Sequence, residues 1–172
     1  MAWILLLAFA ALVAAVAAAA HRGLNNLQES RREAWAALEA QLVKRQELMI
    51  QIVGLCSRLM RYERDALERV STAGSAVMAA ARRSNVAALA AADQAHRAAA
   101  AALFQLAAGY PQFSTSSAFA ALRERALTLD ARVDERREQY NGAVSVLNFR
   151  CRAFPYSVVA RTMGLRPAGF LS

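Results

Sequence analysis

Two hydrophobic patterns divide the chain. Residues 2–20 hold no charged or strongly polar side chain. As a helix rising about 1.5 Å per residue they span roughly 28 Å, close to the roughly 30 Å of a bilayer's hydrocarbon core. Only a helix satisfies its own backbone polar groups in that medium. Trp3 sits at one end, where an indole favours the interface, and His21 and Arg22 stop the run. Beyond it the apolar residues recur in steps of three and four, the helical period. Leu27, Ala34, Leu38, Leu42, Met49, Ile52, Leu55, Leu59, Tyr62, Ala66 and Val70 form one stripe. Glu29, Arg32, Glu39, Lys44, Glu47, Arg58, Arg61, Arg64 and Glu68 face the other way, and Arg61 with Asp65 and Arg64 with Glu68 are spaced to pair along a helix.

The pattern therefore predicts a long helix over residues 24–71, able to run unbroken out of the apolar segment. Ser71 to Ser75 are a weak break, and Ser84-Asn85 a second one with Asn85 as an N-cap. The Ala-rich stretch that follows is read as a helix built for close packing. A second membrane span is excluded because Arg82, Arg83, Asp93, His96 and Arg97 would be costly near a bilayer centre. Gly109-Tyr110-Pro111 ends that helix, and Ser114 to Ser117 supply the loop and next cap. A last long helix is expected over residues 118–151, with the stripe Phe119, Leu122, Ala126, Leu129, Val133, Tyr140, Val144, Leu147 and Cys151 and coiled-coil-like steps. Phe154-Pro155 stops it, and a short helix is expected over residues 157–163, closed by Gly164. No stretch alternates long enough to be a strand. The fold class is all-α: one N-terminal transmembrane helix, then an antiparallel bundle of three long helices and a short C-terminal helix. The expected divisions are an anchor over 1–22, a bundle over 23–153, and a basic, aromatic tail over 154–172 packed on the bundle.

Composition narrows the function. A chain that is 57% hydrophobic with 7 Gly and 3 Pro is neither disordered nor loop-rich. Two Cys and two His are too few for a disulfide scaffold or a zinc cluster. Cys56 and Cys151 fall on apolar stripes and read as buried thiols; His96, alone in an alanine helix, reads as exposed surface. No phosphate-binding loop, nucleophile elbow or zinc-protease helix motif is present. The carboxylates mostly sit among arginines at helical spacing, which indicates a solvated face more than an acid–base pair. We therefore expect no enzyme activity, no catalytic residue, no metal and no cofactor. Four residues read as a structural polar core. Tyr140 buries its ring and needs a hydroxyl partner, Asn141 and Asn148 lie two turns apart in a helix interior, and Arg45 interrupts the first apolar stripe.

The net charge of +8 is carried almost wholly by arginine. Most of it is mixed with acids along helix faces, which argues against nucleic acid as a partner. The tail differs: Arg150, Arg152, Arg161 and Arg166 have no acid among them and alternate with Phe154, Tyr156, Met163, Leu165, Phe170 and Leu171. Such a segment either grips anionic lipid headgroups or folds back over the open end of the bundle.

The apolar segment has two readings, an uncleaved anchor and a cleaved signal peptide. The absence of a basic n-region and the length of the run favour the anchor. Arg22, Arg31 and Arg32 on its C-terminal flank place the N-terminus outside and the bundle in the cytoplasm, where both cysteines would remain thiols.

Two blocks of residues resemble the LemA family. The first is Glu33-Ala34-Trp35, Gln41-Leu42, Lys44-Arg45, Leu48 and Val53, ending in Tyr62-Glu63, Leu67, Val70 and Ala73. The second is Tyr110-Pro111, Phe119, Leu122, Arg136, Tyr140-Asn141, Val144, Asn148, Phe154-Pro155, Ala160 and Gly164. The match covers most of residues 24–170, with little from the Ala-rich middle. Met49-Ile50-Gln51 continues the helix where the family usually has a Pro, Tyr62 stands where it has a His, and Glu39 replaces its usual aspartate, so the chain resembles a divergent member. The resemblance implies a bacterial, membrane-anchored helical bundle with one N-terminal span and no established biochemical activity. Some relatives are linked to the formation of intracellular membranes. The expected function is a non-enzymatic scaffold or adaptor that self-associates, with membrane lipid and another membrane protein as further partners. The alternative is a module that binds anionic lipid or phosphate through the basic tail.

Overall fold

A computed structural model describes residues 1–60 and 62–171 and, among them, contains helices and no strand. The helices are α1 (Ala2–Leu59), α2 (Arg64–Arg82), α3 (Val86–Ala108), α4 (Pro111–Ser114), α5 (Ser117–Arg152) and α6 (Tyr156–Thr162). The chain is all-α as expected, but four long helices stand where three were expected, because the helix expected over residues 24–71 is divided between α1 and α2. The Arg61–Asp65 pair expected from spacing lies outside the described residues, because Arg61 does.

The helices fall into two compact units. One comprises residues 35–138 with the last two residues, the other residues 1–34 with 139–170. Both α1 and α5 contribute to each.

In the first unit α1, α2, α3 and α5 run up, down, up and down. Three side-chain relations fix the α1–α2 antiparallel register. Trp35 Nε1–H donates to the Ala81 carbonyl at 3.2 Å. Gly74 lies so close to Gln46 that a Cβ there would meet its amide. Cys56 and Met60 share a core with Leu67 and Val70. That core also takes in Leu48, Ile52, Leu103, Ala107, Phe113, Phe119 and Leu129. The Phe113 and Phe119 rings are 4.7 Å apart and Phe104 meets Phe119 edge-on at 6.2 Å, aromatic contacts that close this end of the unit.

The first turn comes earlier than the pattern predicts. The stripe expected to run through Leu59 and Tyr62 ends at Ile52, Cys56 and Met60, while Leu59 is exposed and Tyr62 almost fully so. The chain reverses between Leu59 and Arg64. The expected break at Ser71–Ser75 is instead continuous helix: Ser71 and Ser75 donate their hydroxyls to the carbonyls of Leu67 and Ser71, four residues back. Bonded that way, serines sit inside a helix without ending it. The register of the buried stripe decides the matter, since Leu67, Val70, Gly74, Val77 and Ala81 form a fresh face that packs back onto α1.

Other ends follow local chemistry. Asn85 caps α3, its side chain accepting from Ala88 N–H at 3.0 Å, and Ser116 Oγ accepts from Phe119 N–H at 3.2 Å at the start of α5. Between them Pro111 opens the single turn α4, which the sequence reading leaves as loop. In the second unit Gly164, at φ +66°, ends α6 with Leu165 N–H bonded to the Ala160 carbonyl, the six-to-one closure that favours glycine. Ser84 closes α2 in the same way, with Asn85 N–H on the Ala80 carbonyl and Ser84 at φ +49°. A side chain in that left-handed region is strained. Ser84→Gly is expected to raise stability by up to about 1 kcal/mol and Gly164→Ala to lower it by about the same amount, read as opposite shifts in thermal melting.

Candidate functional site

The polar centre of the first unit is an ionic network between α1, α3 and α5, buried at Arg45 and Asp93 and half-buried at Arg97, Asp130, Asp134 and Arg137. Arg45 projects from the apolar stripe of α1 and is 3% exposed. Its guanidinium donates to the Asp93 carboxylate and, at 3.1 Å, to Asp130. Asp93 also accepts from Arg97 Nε one turn along α3 at 2.9 Å. Arg97 reaches across to Asp134 through both terminal nitrogens, at 2.7 and 3.2 Å, and Arg137 joins Asp134 at 2.7 Å. Fork-to-carboxylate bonds of this kind fix orientation as well as charge.

The electrostatics follow from burial and neighbours. Burial pushes the Asp93 carboxyl up, but the guanidiniums of Arg45 and Arg97 outweigh it and hold Asp93 below the usual carboxylate range. Burial opposes the charge of Arg97, and Asp93 and Asp134 more than restore it. His96, one residue before Arg97, is 2% exposed, and neither ring nitrogen has a hydrogen-bond partner. The expectation that His96 is exposed surface is therefore overturned, and so is the reading of Asp93 as part of a solvated face. Both face inward because Arg45 requires a carboxylate on α3, and the turn of helix that delivers Asp93 carries His96 in with it. Burial, then Arg45, pushes the imidazole down to about 4, with Asp93 opposing and Arg97 assisting.

The polar residues expected in the core fall in both units. Tyr140 is buried and its hydroxyl donates to the Gly169 carbonyl at 3.3 Å. Asn148 is tied twice to the tail: its amide donates to the Ala168 carbonyl at 3.0 Å and its oxygen accepts from Ala168 N–H at 2.9 Å. Asn141, on the same helix, is half-buried. The tail arginines Arg150, Arg152, Arg161 and Arg166 are all exposed. Of the cysteines, Cys56 is fully buried and burial pushes its thiol up to about 11. Cys151, expected to be buried, is half-exposed and its thiol is raised less strongly by burial.

Among the described residues, no group of three or more His, Cys, Asp or Glu is placed to hold a metal ion. The larger concavities are open grooves. One, walled by α2 and α3, is lined largely by alanines, among them Ala73, Ala76, Ala98 and Ala102, over about 970 Å³. Another, about 650 Å³, has charged walls from Lys44, Glu47, Arg125 and Arg132. A space of about 20 Å³ beside Asp93 is lined by Leu38, Leu42, Leu89 and Leu171. The network thus lies beside a packed apolar wall.

Residues 2–19 of α1 are all exposed, and an 18-residue window of that helix reaches a mean hydropathy of 2.6. It is the one helix among the described residues long and apolar enough to cross a membrane.

The sequence profile of the LemA family matches residues 34–172. The chain belongs to the LemA family. No curated protein matches it. The matched segment contains Trp35, Arg45, Tyr140, Asn148 and Gly164. In this LemA chain each of these holds an inter-element contact or a helix end.

Asp93, Arg97, Asp130, Asp134 and His96 are the site residues that the sequence reading missed. The signal that finds them is Arg45 itself, since a guanidinium on an apolar stripe demands carboxylates on facing helices. Asp93→Ala is expected to destabilise the bundle by about 3 kcal/mol or more, because it strips the buried Arg45 of a counter-charge. Arg45→Met combined with Asp93→Leu is expected to recover part of that loss; denaturant titration in detergent reads both.

His96 gives a separate pH dependence. Its folded pKa lies below the ordinary 6.5, so the unfolded chain takes up a proton that the folded chain refuses. Its contribution to stability is complete above about pH 6.5 and is lost as pH falls to about 4, a change of roughly 3 kcal/mol. His96→Leu is expected to flatten the melting temperature across that window.

Proposed function

We propose that this LemA chain is a non-enzymatic, membrane-anchored helical scaffold, acting by holding partners at the membrane, a second copy of itself among them. One observation carries the reading: α1 is a single helix in which an exposed apolar run passes without a break into the residues that pack the bundle core. A helix exposing Ile4, Leu5, Leu6, Leu7, Phe9 and Leu12 side by side needs an apolar medium.

The ionic network supports a structural role. Its buried carboxylate, Asp93, is already engaged by Arg45 on α1 and Arg97 on its own helix, and held ionised in this way it is not a proton donor near neutral pH. The Ala-lined groove supports self-association, because small side chains let another helix approach closely. The proposed topology follows the basic flank at Arg22, Arg31 and Arg32, with the N-terminus outside and the bundle in the cytoplasm. The proposed setting is a bacterial membrane.

Two measurements test the proposal. Size analysis of the full chain in mild detergent is expected to give dimers or larger species that dissociate on dilution. A monomer across a wide concentration range would count against self-association. A membrane-impermeant thiol reagent is expected to leave a cysteine introduced at the exposed Glu33 unlabelled in intact cells and to label it after the membrane is opened; labelling in intact cells would reverse the topology.

A further inference from the structure

The second unit leaves an unusual set of side chains in water. After Glu138 there is no Asp or Glu, so the charges at the end of α5 and through α6 are all positive. Among them Phe149 is 71% exposed, Phe154 84% and Val158 56%. Bulky apolar groups and arginines on one short segment suit the boundary between acyl chains and headgroups, where each finds its own medium.

The position of that segment relative to the apolar run is set by contacts within the unit. Ala20, the last residue of the run, is buried, and Leu24 is wholly so, packed with Leu147 and Ala160. Leu27, Cys151, Tyr156, Val159 and Met163 surround them. Tyr156 lies directly against Gly23, where an added Cβ would stand 3.1 Å from its ring. The Arg150 guanidinium lies over the same ring, 5.1 Å from its centroid. Arg150 is thus held beside α1 at residue 23, about 4.5 Å of helix beyond Ala20. The headgroup layer on each side of a bilayer is of that order of thickness, about 5–8 Å.

We propose that the end of α5 together with α6 forms an interfacial shelf lying on the same bilayer that residues 2–20 enter. Phe149, Phe154 and Val158 reach the upper acyl chains, while Arg150, Arg152 and Arg161 pair with the phosphates of anionic headgroups. Gly23 is the residue that admits Tyr156 and so brings the shelf against the anchor. The inference rests on the reading of α1 as a membrane anchor. It adds a second contact with the membrane, made by residues far along the chain, and assigns a lipid class to it.

Photocrosslinking of the full chain in vesicles tests the shelf. p-Benzoylphenylalanine is placed singly at Phe9, Phe154 or Glu33, and the vesicles contain phosphatidylcholine and phosphatidylglycerol. Phe9 reports on the anchor. Glu33, exposed on α1 roughly 20 Å beyond Ala20, reports on chance collision. Mass analysis is expected to find phospholipid adducts at positions 9 and 154 and few at 33. The share of phosphatidylglycerol in the position-154 adducts is expected to exceed its share of the bilayer severalfold. Replacing Arg150, Arg152 and Arg161 with Gln is expected to bring it back to the bilayer share; the enrichment in the unaltered chain stands as a reading even if that variant misfolds. Adducts at 9 but none above the Glu33 level at 154 overturn the shelf and leave the anchor intact. No adduct at 9 overturns the anchor itself. Chain-to-chain adducts at 154 that grow with protein density make the surface an interface between copies, and adducts without phosphatidylglycerol enrichment overturn the role of the arginines.

Discussion

A buried guanidinium organises the first unit. Arg45 stands where an apolar side chain would continue the α1 stripe, and a charge removed from water is tolerated only where counter-charges and hydrogen bonds meet it. Asp93 on α3 and Asp130 on α5 do so. That requirement allows one rotation and one axial position for three helices at once, since a slip by one residue would turn each carboxylate away. Arg97 and Asp134 add a second tie between α3 and α5. The hydrophobic stripes supply the attraction between helices, and the ionic network selects the register in which they meet.

The second unit uses a neutral device for a similar purpose. Asn148 pairs with the backbone of Ala168 through both amide atoms, and Tyr140 reaches the carbonyl of Gly169. A segment with little regular structure is held this way by helix side chains that satisfy its peptide groups. The same unit packs α6 against α1 just past the apolar run, through Leu24 and Gly23. The residues that fasten the tail and those that present its arginines therefore alternate along one short stretch, and a single sequence serves packing and surface chemistry together.

Much of this was legible in the residues. Asn85 as a cap, the α5 stripe, the stop at Phe154-Pro155 and the closing Gly164 follow from local stereochemistry, and local stereochemistry survives folding. Tyr140, Asn148 and Arg45 stood out because each is a polar group at a buried periodic position. The turn between Leu59 and Arg64 was not legible, since it has neither Gly nor Pro and an apolar stripe can be drawn straight through it. Ser71 and Ser75 misled for the opposite reason: their hydroxyls had a helical partner four residues back. His96 and Asp93 read as surface because an alanine helix has no polar face to contrast with an apolar one, so its buried side is set by its neighbours.

The sequence by itself determined the helical class, the apolar run, most helix ends and the family, because these depend on period, propensity and capping within a few residues. Tertiary structure alone decided where α1 turns back, which face of α3 is inside, and which carboxylates answer Arg45. Those choices are made between segments far apart in the chain, where burying one charge beside another outweighs any local preference.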